Sequence, residues 1–164
     1  MRIFRIVSIV LLIACCVTIF CFSSQNSESS SELSSGITHS VISAIYPHFS
    51  ELSADKQDKI INIATLIIRK SAHFEIFMIL GVFSLMSIIS YNRPQKTKKL
   101  LISSVFCLLY AISDEVHQLF VSGRSGEIRD VCIDFIGAIL GIVLCSILFN
   151  RIKFLKVFVG GKDA

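Results

Sequence analysis

The chain has 164 residues, enough for one small domain or bundle, and 53% of them are hydrophobic against only 17% charged. A typical soluble domain carries roughly 25% charged residues, so with a mean hydropathy of +0.72 the composition excludes an ordinary soluble enzyme and indicates an integral membrane protein. The net charge of +4 does not signal nucleic acid, because the basic residues form short blocks beside apolar runs and do not line one soluble face.

Residues 1–22 contain the first predicted span, about twenty mostly apolar residues from Ile3 to Phe22 behind Arg2 and Arg5. The start resembles a secretory signal, and Leu12-Ile13-Ala14-Cys15 matches a lipoprotein cleavage box. The apolar run nevertheless continues through Val17, Ile19, Phe20 and Phe22, so a retained helix is expected. Residues 23–70 are read as an external unit: a serine-rich linker, a helical stretch from Gly36 to Tyr46, Pro47, and an amphipathic helix from Ala54 to Lys70. In that helix Ile60, Ile61, Ala64, Ile67 and Ile68 recur at helical spacing, while Asp55, Lys56, Asp58, Lys59 and Asn62 are polar.

Residues 71–149 supply three more spans: Ser71 to Tyr91, Leu100 to about Val121, and Asp130 to Phe149. The compact basic loop Asn92–Lys99 separates the first two of these, and a glycine-bearing turn, Ser122–Arg129, separates the last two. Residues 150–164 form a basic tail. The expected fold class is therefore all-α: an integral membrane bundle of four transmembrane helices with an additional external amphipathic helix between helices one and two. The six cysteines form no CxxC pair and are expected as small apolar-segment residues, neither disulfides nor zinc ligands.

Orientation follows from the basic blocks. Placing both termini and the Asn92–Lys99 loop in the cytoplasm puts ten of the sixteen basic residues inside. The expected location is the plasma membrane, multi-pass, with both ends cytoplasmic. That topology brings distant polar residues to one level at the outer leaflet: Lys70 and His73, then Asp114 to Gln118, then the turn and Asp130 to Asp134. Charged groups at membrane depth are expensive and persist where they pair, line a wet cavity or do work. Each charge alone is explained by pairing; their concentration at one level is what points to a site.

The candidate acid–base residues are His73, Asp114, Glu115 and His117, and the candidate ligand-binding residues are Lys70, Gln118, Arg124, Arg129, Asp130 and Asp134. Arginine forks suit phosphate and carboxylate groups, and a carboxylate–histidine group suits proton transfer. His73, His117 and a carboxylate also suit a divalent ion, but no HExxH or comparable spacing exists, so no metal ligand is assigned and no cofactor is named. Asp114-Glu115-Val116-His117 spells a DExH box, but no phosphate-binding GxxxxGK[ST] loop accompanies it, which excludes a helicase.

Four ordered blocks carry a family resemblance: Phe22-Ser23-Ser24-Gln25, Arg69-Lys70-Ser71-Ala72-His73-Phe74, Asp114 to Phe120 with Gly123-Arg124, and Asp130…Asp134…Gly137. Together they resemble the VanZ-like family, whose namesake is the teicoplanin-resistance protein of Gram-positive bacteria. The chain departs from that pattern at Phe77, where Tyr is frequent, at Val121-Ser122, where Pro is common, and at Asp134, often Asn. The resemblance implies a small bacterial envelope protein associated with lipoglycopeptide resistance. It also implies that Ser23-Ser24-Gln25 is more than a linker. The expected partner is a membrane lipid or lipid-linked cell-wall precursor, with no nucleic acid. The expected action is binding of an anionic envelope component, and the alternative is an intramembrane enzyme acting on a lipid-linked phosphate.

Overall fold

Arg69-Lys70 marks a change of polarity in the sequence but not a break in the backbone. In the computed structural model, which describes residues 2–26, 36–38, 40–89 and 95–151, the stretch from Ala54 runs straight into the second span. The resulting helix α3 covers Ala54–Ile89, 36 residues. The expected separate amphipathic helix is thus the leading half of a spanning helix. Arg and Lys are good helix formers, and no proline interrupts the run, so nothing local ends it. Before it come α1 (Arg2–Ser23), a short apolar α2 (Gly36–Ile45) and, after Pro47, a 3-10 turn at Phe49–Glu51. After it come α4 (Lys96–Gln118) and α5 (Ile128–Arg151). The expected serine-rich linker over 27–35, the loop residues 90–94 and the tail over 152–164 lie outside the described residues.

Four helices, α1, α3, α4 and α5, are long and apolar enough to cross a membrane. Their contacts show the up-and-down order. Phe4 of α1 meets Phe149 of α5 at one end, while Ser23 of α1 meets Asp114 of α4 at the other. Buried side chains from all four helices, among them Ile19, Phe77, Leu80, Ala111, Ala138 and Ile142, form the core. The outward faces carry exposed Val10, Leu101, Leu109 and Leu144. Lipid tails are as apolar as leucine, so burial alone gives such helices little reason to associate, and close packing of small residues takes over.

That packing is tightest between α3 and α5. A Cβ added at Gly137 would strike the Phe74 carbonyl oxygen, one at Gly141 the Met78 carbonyl, and one at Gly81 the Ala138 carbonyl. The Gly137-x-x-x-Gly141 spacing therefore does what its sequence suggests: it lets backbone rest on backbone. A membrane favours internal partners for polar groups inside the bundle, and several have them, though the buried Ser103 Oγ has none among the described residues. The Tyr110 hydroxyl donates to the Cys16 carbonyl at 2.6 Å, and Lys99 Nζ donates to the Ile89 carbonyl at the end of α3 at 3.1 Å. The cysteines behave as small packing residues: Cys15, Cys107 and Cys145 are buried, and all six are free thiols.

Candidate functional site

The ends of α1 and α4, the start of α5 and the middle of α3 converge at one end of the bundle. Local chemistry fixes each piece. The α4–α5 turn needs Gly123, whose φ of 76° lies in the left-handed region that favours glycine. The Glu127 N–H, just ahead of α5, donates to Glu115 Oε1 at 2.6 Å, which ties the turn back to α4. Arg124 ties it to α1: Nε donates to the Gln25 carbonyl at 3.1 Å and Nη2 to the Phe22 carbonyl at 3.3 Å. Nη1 donates to Gln118 Oε1 at 3.2 Å. A cation on the carbonyls at the end of α1 is favourable for the helix dipole. Burial pulls the Arg124 pKa below its ordinary value and Arg69 adds to this, while Asp114 and Glu115 oppose it. A guanidinium still stays charged at any physiological pH.

These elements enclose a small polar cavity of about 20 Å³ lined by Arg69, Lys70, His73, Glu115, Gln118, Arg124, Asp130, Ile133 and Asp134. A volume of that order holds about one water molecule or ion, so a phosphate does not fit inside it. Lys70 is ion-paired with Asp130. Asp114 lies against the cavity wall, only 4% exposed, with Oδ2 accepting from Ser23 Oγ at 2.8 Å and from Gln118 Nε2 at 3.0 Å. Asp134 is 3% exposed. The His73 ring approaches it, Nδ1 to Oδ2 at 3.9 Å, which is too long for a hydrogen bond.

Beside the polar cavity lies an apolar one of about 230 Å³ between α1, α2 and α3, lined by residues such as Ile19, Phe22, Ile37, Ile68 and Ile76. Arg69, His73 and Arg124 line both cavities and form their shared wall.

Of the residues singled out from sequence, Lys70, His73, Glu115, Gln118, Arg124, Asp130 and Asp134 line the polar cavity, and Asp114 adjoins it through Gln118. Two do not join them. His117 turns toward α1, stacking on Phe20 at 4.6 Å with its Nε2 3.0 Å from Ser24 Oγ. Consecutive residues on a helix diverge by about 100°, and here Gln118 faces the cavity while His117 faces α1. Arg129 points outward with 76% of its side chain exposed and pairs with Glu127 at 3.1 Å.

Two further contributors are not singled out by sequence. Arg69 sits one turn before His73, a signal that cutting the helix at Lys70 obscured. Ser23 lies in a block of the resemblance, but no periodicity pointed to Asp114 as its partner.

Residues 8–149 match the model of the VanZ/LLP1 family, most of the chain. No curated protein and no solved structure matches it. The chain belongs to the VanZ/LLP1 family and is a multi-pass membrane protein.

Proposed function

We propose that this member of the VanZ/LLP1 family works at the outer leaflet of the plasma membrane, where it binds the anionic head group of an envelope amphiphile and so alters access of a membrane-anchored antibiotic. The basic blocks favour both termini in the cytoplasm, which turns the polar end outward. One observation supports the reading above the others: Arg69 and Arg124 stand on the wall shared by a polar and an apolar cavity. An amphiphile needs that combination, with cations for its phosphate and a greasy slot for its chain. Arg69 donates no hydrogen bond and forms no ion pair with the described residues, and Arg124 uses three of its five donors. The head group sits at the mouth, because the enclosed polar space takes no more than an ion or a water.

The test has two arms. Expression in a sensitive bacterium should raise tolerance to teicoplanin more than to vancomycin, and Arg69→Gln should abolish the difference. Purified protein should retain an anionic phospholipid or a polyprenyl phosphate over a zwitterionic lipid, and Arg124→Ala should weaken that preference. Unchanged teicoplanin sensitivity together with no lipid preference would defeat the proposal.

A second reading, intramembrane hydrolysis of a lipid-linked phosphate, draws support from His73, Asp114 and Asp134 standing together. Glu115 suits it less well than the sequence suggested, because its carboxylate already holds the Glu127 N–H. Turnover of a lipid phosphate that Asp134→Asn eliminates would favour catalysis; an inert preparation would count against it.

A further inference from the structure

We infer that His73, Asp114 and Asp134 form a binding site for a divalent transition-metal ion, of the zinc or manganese class. The inference stands apart from the head-group reading and needs no lipid. Each of the three residues offers one ligand atom, and these atoms lie within 4.8 Å of one another. A metal about 2.1 Å from tetrahedral donors holds them about 3.4 Å apart, so modest side-chain rotation closes the set. The separation of His73 Nδ1 from Asp134 Oδ2, 3.9 Å, is already near that value.

An independent observation concerns Asp134 itself. Its carboxylate is 3% exposed, lines the cavity and accepts no hydrogen bond among the described residues. A buried carboxylate left this way is costly unless something cationic or donating reaches it. Of the nearby cations, Lys70 is committed to Asp130 and Arg124 to Gln118 and the end of α1, while Arg69 lines the same cavity but forms no ion pair with Asp134. The adjoining cavity, about 20 Å³, suits a single ion.

Asp114 is set for the same task. Both of its hydrogen bonds, from Ser23 and Gln118, fall on Oδ2, so Oδ1 accepts none among the described residues. Partners of this kind orient a ligating carboxylate from outside. Sequence spacing conceals the site because its members come from three helices, His73 and Asp114 standing 41 positions apart and Asp114 and Asp134 20 positions apart. The imidazole disfavours Mg²⁺ and Ca²⁺, which take oxygen alone, and the carboxylates disfavour Cu(I). Three protein donors leave coordination positions open, as in metal sites that engage a ligand.

The experiment uses the full chain purified in detergent, assayed for metal, stripped by a chelator and titrated separately with Zn²⁺, Mn²⁺, Mg²⁺ and Ca²⁺. About one Zn²⁺ or Mn²⁺ per chain is expected, with saturable binding that raises the melting temperature. Asp134→Asn and His73→Gln should each weaken binding at least about tenfold, and Ser23→Ala, acting through Asp114, about 10- to 100-fold. Arg129→Ala, outside the cavity, should bind like the parent. A parent protein that takes up neither metal and shows no thermal shift overturns the assignment, as does binding of Mg²⁺ or Ca²⁺ alone. Should Asp134→Asn fail to yield monodisperse protein, His73→Gln decides: full affinity in that folded variant overturns it.

Discussion

Helices α3 and α5 meet twice, under opposite rules. Along the seam from Phe74 to Met78 and from Gly137 to Gly141, the contact is backbone against backbone, and the one charged residue in these stretches, Glu75, is exposed. One turn toward the polar end, the same two helices present Lys70 with Asp130 and His73 with Asp134. The seam satisfies what a membrane bundle asks for, close approach and no unpaired polar group. The polar end violates it at Asp134, whose neighbour four residues earlier, Asp130, is paired with Lys70. The contrast separates a region built for association from one that keeps an unmet electrostatic demand, and unmet demands of this kind gather at functional sites.

The comparison can be broken most forcefully at the seam. Gly137→Leu should cost about 3 kcal/mol or more, since the Phe74 carbonyl is main chain and has nowhere to go. A collapse of thermal stability in detergent, with loss of monodisperse protein, is the expected reading. Asp134→Asn should act in the opposite direction, raising stability by about 1 kcal/mol in metal-free protein while removing function. A clear fall in melting temperature would mean that Asp134 is structural. Tyr110→Phe tests the interior between these extremes: removing the donor to the Cys16 carbonyl should cost about 1 kcal/mol by denaturant or thermal unfolding. The smallest effect belongs to Arg129→Ala, expected within about 0.5 kcal/mol of the parent because its pair with Glu127 is exposed.

The four spans were legible because hydropathy over about twenty residues is the strongest signal that a sequence offers. The common level of Lys70, His73, Asp114 and Asp134 followed from counting crossings. What sequence missed has specific causes. The amphipathic stretch and the second span were divided at Arg69-Lys70 because polarity changed there, and polarity is not a helix terminator. The same cut hid Arg69. His117 lies about one turn from Asp114, a spacing that also suits a residue facing α1, and only the position of Phe20 decides between them. Ser23 and Asp114 are 91 positions apart, so their hydrogen bond depends on how α1 and α4 lie side by side.

The glycine seam also bears on how the bundle meets its solvent. A bilayer squeezes inserted helices laterally, and the squeeze varies with lipid composition. Where side chains separate two helices, rotamers can yield to that squeeze. At Gly137 and Gly141 main chain already rests on main chain, so α3 and α5 are at their mechanical stop. The spacing of His73 and Asp134, set one turn away on the same helices, is thereby shielded from the lateral pressure of the membrane around it. Any closing of that gap is left to the two side chains.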